Sequence, residues 1–218
     1  MSTMPTVSPN IKTLADLLER LGGVPLDRIR FRPSPGSGTV QDVIDVKQRE
    51  NVLCELVEGV LLEKAVGFTE SRLAVFLLEL LNAFVRPNNL GIVTGPDGTV
   101  ELMPGLVRIP DVAFTRWDRL PGRRYPATPV PRLAPNLAVE VLSRTNTPGE
   151  MAVKRQDYFT AGVELVWEID PDARSVRVYT SAAQVVTLAT GDTLDGGAVL
   201  PGFTLALQDL FAELDRHG

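Results

Sequence analysis

Two acids stand where apolar strands are expected. Asp111 opens the stretch "DVAF" after Ile109-Pro110, and Glu140 interrupts "LAVEVLS". A carboxylate inside a buried strand costs stability unless a partner satisfies it. If the two strands are neighbours, both carboxylates converge, and each disfavours the ionised form of the other unless a cation lies between them. A divalent cation meets that need, and one held by carboxylates in a partly open site suits phosphate chemistry. The alternative is that each acid pairs with its own arginine or lies at a strand end in water. Lys154 weighs against it. Met151, Val153 or Lys154, Tyr158 and Ala161 recur at three- and four-residue steps in the segment 148–161, so Lys154 can share a face with Met151 and Tyr158 and reach a phosphate oxygen beside Glu140. The competing reading is a solvated lysine on a charged helix.

Two further acids enter the comparison. Glu70 stands three residues before Leu73 and seven before Leu77, on the apolar face of a strong helical pattern, where it serves the site or acts as a first-turn charge on the helix dipole. Glu55, in "LCELVEG", is expected to be structurally paired. Cys54 is the only cysteine and His217 the only histidine. A thiolate cluster, an internal disulfide, a His-dependent triad and His-ligated zinc are thereby set aside. Any metal site must use oxygen ligands, which suit Mg²⁺, Mn²⁺ or Ca²⁺.

The formal charge of −5 argues against a non-specific nucleic-acid binder. Residues 108–155 nevertheless hold nine Arg or Lys against four acids, so +5 is concentrated there and −10 is left elsewhere. That segment is either a phosphate-facing surface or a solvated charged loop.

The elements that must position these groups follow from periodicity. "KTLADLLERLGG" and "QDVIDVKQRE" read as short helices, and "RFRPSPGSGT" as a linker. "NVLCELVEGVLLEKAV" reads as two strands turning at Glu58-Gly59, and "TESRLAVFLLELLNAFVR" as the strongest helix. A hairpin is expected at Asp97-Gly98 and a long exposed loop from Arg116 to Pro135. "NLAVEVLS" has the continuous apolarity of a strand covered on both faces. A helix capped by Thr147, a hairpin around Pro171-Asp172, another strand at "AQVVTLA" and a closing strand and helix complete an α/β or α+β chain. An N-terminal extension is expected over 1–49, its first dozen residues disordered, with the main domain over 50–218. No apolar run approaches the roughly 20 residues of a membrane-spanning helix. No signal layout is visible, so the expectation is a cytoplasmic protein.

Taken in order, "CELVEGVLLEK", "RIPDVAF", "PNLAVEVLS", Lys154 with Tyr158, and "AGVELVWEIDP" resemble the Uma-two family of restriction-endonuclease-like proteins over roughly residues 50–210. The family is similar to the PD-(D/E)xK nucleases. That resemblance implies a central mixed sheet flanked by helices, here with extra C-terminal β-hairpins, and a Mg²⁺ or Mn²⁺ site hydrolysing DNA phosphodiesters. Asp111 and Glu140 would be its metal ligands, together with the backbone carbonyl of Val141. The lysine usual two residues after the second acid is Leu142 here, so Lys154 takes over its charge, with Glu70 as an outer helper. The alternative is a non-catalytic binding or regulatory module on the same fold. A homodimer is also expected, from the two-strand cutting that the resemblance implies and from apolar residues in "GFTLALQDLFAEL".

Overall fold

The computed structural model describes residues 12–65 and 67–216; the first eleven residues and His217 lie outside them. Two short helices come first, α1 (Leu14–Arg20) and α2 (Val40–Glu50). Thr13 and Thr39 start them with capping boxes closed by Asp16 and Asp42. Strands β1 (Cys54–Val57) and β2 (Val60–Glu63) form the hairpin at Glu58-Gly59, where both turn residues have positive φ. Helix α3 (Phe68–Val85) follows, then β3 (Gly91–Thr94), β4 (Val100–Met103), β5 (Leu106–Arg108), β6 (Val112–Arg116) and β7 (Leu137–Val141). Helix α4 (Pro148–Thr160) leads into β8 (Leu165–Asp170), β9 (Ser175–Tyr179) and β10 (Val185–Ala189). Strands β11 (Thr193–Asp195) and β12 (Thr204–Ala206) pair with each other, and α5 (Leu207–Ala212) runs on from them.

The main sheet has the order β10-β9-β8-β7-β6-β3 and is antiparallel except for β7 and β8, which α4 connects as a β-α-β crossover. A four-stranded antiparallel sheet, β2-β1-β5-β4, stands beside it. The expected hairpin at Asp97-Gly98 is therefore not one. β3 pairs with β6 and β4 with β5, so the turn carries the chain from one sheet to the other, and the true hairpin lies at Pro104-Gly105. Alternation marks both segments as strands but is silent about which partner each takes.

Strand β7 is buried along its whole length. Leu137, Val139 and Val141 join Leu73, Leu77, Leu81, Trp167 and Phe211 in the core under α3. Ala138 belongs to the core on the other face, with Tyr158, Val166 and Tyr179. By the two-residue period Glu140 shares the face of Ala138 and points at α4. The chain between β6 and β7 is exposed from 121 to 129, as expected, but its ends are tied down: Leu120 is buried, and Leu133 donates its amide to Glu101. Helix α1 packs Leu17 and Leu21 against Val57, Val60 and Leu62, while α2 packs Val43 and Val46 against Cys54 and Leu56.

Candidate active site

Asp111 precedes β6, and its amide donates to the carbonyl of Val139 on β7 (2.9 Å). Its carboxylate is held at both oxygens: Oδ2 accepts the Val141 amide (2.7 Å), and Oδ1 faces the Lys64 ammonium (2.8 Å). Lys64, just past β2, also donates to the carbonyl of Ile109 (2.5 Å). On the adjacent strand the Glu140 carboxylate accepts from the Tyr158 hydroxyl at Oε1 (2.5 Å) and from the Lys154 ammonium at Oε2 (3.2 Å). The structure thus brings Asp111, Glu140, Val141 and Lys154 together at one end of β7, and Lys154, Met151 and Tyr158 are all buried on the inward face of α4.

Glu55 completes the cluster from β1. Its Oε1 lies 3.0 Å from the Lys154 ammonium, and its Oε2 2.7 Å from the guanidinium of Arg108, which also holds Asp157. The structural pairing expected for Glu55 is what is seen, but its partner is the site lysine. Burial alone would push the Glu55 carboxyl up, yet Lys154 and then Arg108 hold it at about 2. Glu140 goes the other way. Its burial raises it, Lys154 opposes, and the nearby Asp111 charge pushes it further up. The difference is physical: Glu55 has two cations in contact, whereas Glu140 has half a share of one lysine and a neutral phenol. The ammonium of Lys154, fully desolvated, is nevertheless held in its charged form by Glu140 and Glu55.

A cleft of about 1140 Å³ opens beside this cluster. Ala65, next to Lys64, and Leu142, next to Val141, line it, as do Glu70, Arg144 and Met151. Glu70 is not drawn into the cluster. It lies half-buried in the first turn of α3 with its carboxylate folded back on Gly67, where an added Cβ would meet Oε2 at 1.9 Å. Among the described residues it has no hydrogen bond or ion pair, so its observed place is that of a helix-start charge. Most cations of the basic segment pair with protein acids. Arg108 is buried on Glu55 and Asp157, Arg116 and Arg119 share Glu164, and Arg132 and Arg155 sit on Glu101 and Glu168. Local composition gave no sign of these partners because they lie outside the segment, on β1, β4, β8, α4 and the turn before β8.

Lys64 and Arg108 are the site residues that sequence reasoning missed. Both lay inside stretches already singled out, "LLEK" and "RIPD", but each stands at a strand end where a solvated charge is common.

The central mixed sheet with its one β-α-β crossover, flanked by helices, is of the restriction-endonuclease-like class. A solved structure of that kind, described as "a putative nuclease belonging to DUF820" from Anabaena variabilis, is similar to this chain with a TM-score of 0.67 at 19% identity, covering 75% of this chain and 92% of its own. Residues 40–208 match the Uma2 family, whose description is "Putative restriction endonuclease", and the chain belongs to that family. Among curated proteins none matches it.

Proposed function

We propose that the chain is a nuclease that hydrolyses DNA phosphodiester bonds with Mg²⁺ or Mn²⁺, held by Asp111, Glu140 and the backbone carbonyl of Val141. The observation that supports this reading best is the convergence of two carboxylates from adjacent strands with two buried ammonium groups, beside an open cleft, in a chain of the Uma2 family. The donor set suits a hard cation. It is all oxygen, and each of the four carboxylate oxygens accepts one protein donor and so keeps a lone pair. Burial and the nearby Asp111 charge raise the Glu140 carboxyl, and a cation bound there would favour its ionised form. A bound cation would supply Lewis-acid stabilisation of charge at the phosphoryl oxygens.

The protein's own groups do the rest. The Val141 amide and Lys64 fix Asp111, while Tyr158 orients Glu140. Lys154, anchored between Glu55 and Glu140, contributes a fixed positive potential at the reacting phosphate without reorganisation. Glu70, on the cleft wall, is the outer acid of the reading. A cytoplasmic homodimer with one site per subunit would cut both strands. The C-terminal residues expected to supply its interface, Phe203, Leu207, Leu210 and Phe211, are buried in the main core, so the dimer rests on the family resemblance alone.

The same geometry favours a second reading, a nuclease-fold module without turnover, because Lys64 and Lys154 already neutralise the two carboxylates. Thermal unfolding separates the two. The nuclease gains melting temperature from millimolar Mg²⁺ or Mn²⁺, and Asp111→Asn abolishes the gain. A wild-type chain indifferent to both ions removes the ligand assignment and leaves the module.

A further inference from the structure

A second buried acid lies one strand over from Glu140. Glu168 on β8 is the register partner of Glu140 on the parallel strand β7, so both carboxylates point to the same face of the sheet. Glu168 is itself the register partner of Arg177 on β9. Its side chain is 1% exposed, yet it is not held by a single counterion. Arg155 from α4 contacts Oε1 (2.7 Å), Arg177 contacts Oε2 (3.1 Å), and the Tyr179 hydroxyl donates to Oε2 (3.3 Å). Arg155 is fixed further by its Nε, which donates to the carbonyl of Ala182 (3.2 Å), and by the Tyr179 ring 4.2 Å beneath its guanidinium.

Neutralising a buried carboxylate takes one cation. Two guanidiniums on Glu168 leave one positive charge over, and Arg155, Arg177, Glu168 and Tyr179 all line the cleft beside the Asp111–Glu140 pair. Asp172 on the same wall is taken by Arg144, and Asp170 is turned to the Ala173 amide rather than to either guanidinium. Arg177 is 40% exposed, and among the described residues Glu168 is its only ion-pair partner, so most of its five N–H donors are directed elsewhere than at protein acids. A planar guanidinium anchored on one edge and open on the other is the arrangement that receives a phosphate.

We propose that Arg155 and Arg177, held on the buried carboxylate of Glu168, form a phosphate-binding subsite for a nucleic-acid strand lying across the sheet next to the Asp111–Glu140 pair. The subsite rests on the nuclease reading for its ligand, and it adds the path of the substrate: along the cleft from β7 towards β9. Glu168 is a positioning residue, and Arg177 the contact open to the ligand.

The test is a fluorescence-anisotropy titration of a labelled DNA duplex with the full chain, in Ca²⁺ and over a series of salt concentrations, with cleavage in Mg²⁺ scored in parallel. Arg177→Gln is compared with Arg49→Gln, which removes an equal charge from α2, where Arg49 is 77% exposed and away from the cleft. The subsite predicts that Arg177→Gln weakens binding roughly tenfold and lowers the slope of log affinity against log salt by about 0.9, one phosphate contact, with Arg177→Lys recovering part of both. Arg49→Gln leaves the slope unchanged. A wild type that binds and cleaves while Arg177→Gln matches Arg49→Gln overturns the subsite and spares the nuclease. A wild type that neither binds nor cleaves overturns both.

Discussion

The lysine at position 154 is a structural counterion as well as a candidate for chemistry, and the two roles can be separated. It is 3% exposed and lies between two carboxylates, so Lys154→Met leaves Glu55 and Glu140 buried without their shared cation. A loss of about 3–5 kcal/mol in urea unfolding is expected, the scale of breaking a buried ion pair from one side. A loss below about 1 kcal/mol would mean that the ammonium is solvated. Glu55→Gln takes one carboxylate away from Arg108 and Lys154, which keep Asp157 and Glu140, and its cost depends on pH. The Glu55 carboxyl is held down at about 2, below its ordinary 4.5, so the charged form stabilises the fold above 4.5 and this contribution is lost as pH falls towards 2. The stability gap between wild type and Glu55→Gln should therefore narrow from pH 4.5 to pH 2, and a constant gap would rule out the ion-pair origin. Asp111 and Glu140 stood out in the sequence because each interrupts an apolar stretch, and Lys154 because of its helical spacing from Met151 and Tyr158. Lys64 and Arg108 did not, since a cation at a strand end breaks nothing. Lys64 carries its own test: if its ammonium competes with a metal for Asp111 Oδ1, Lys64→Met enlarges the thermal gain from Mn²⁺, whereas an unchanged gain separates the two.

The site depends on how α4 meets the sheets, and that placement is set at its first turn. Thr147 caps the helix by accepting the Glu150 amide (3.0 Å) and donates its own hydroxyl to the carbonyl of Gly22 (2.6 Å) after α1. Gly22 and Gly149 pass so closely that a Cβ on Gly149 would meet the Gly22 carbonyl oxygen at 2.5 Å. Arg28 reaches the same turn and pairs with buried Glu150 (2.9 Å). Gly149→Ala should thus push the N-terminal segment off α4, costing about 1–3 kcal/mol and exposing amides of α1 to faster hydrogen exchange. Unchanged exchange there would show that α1 does not lean on α4. The helices and most strands were readable from period and caps. The pairing of β3 and β4 in separate sheets was not, because it depends on contacts between β6 and β7 and between β1 and β5 that no local pattern carries.

At the scale of the molecule, the six-stranded sheet presents a row of charged groups on the face under α4: Glu140, Glu168 and Arg177 at paired positions of β7, β8 and β9, with Asp111 just beyond β6. Among the described residues no helix is long and apolar enough to cross a membrane. The apolar C-terminal segment closes the core under α3. A monomeric mass at micromolar concentration would remove the homodimer and leave the site intact. The central claim is that Asp111 and Glu140 hold a divalent cation for phosphodiester cleavage. It is tested most directly by incubating labelled single-stranded, double-stranded and branched DNA with wild-type chain and with Asp111→Asn, with and without Mg²⁺ or Mn²⁺. The account predicts cleavage of at least one substrate by the wild type only with metal, reduced about 10²-fold or more in Asp111→Asn. Cleavage that persists in chelator, or that Asp111→Asn retains in full, would contradict it, as would a wild type that leaves every substrate intact.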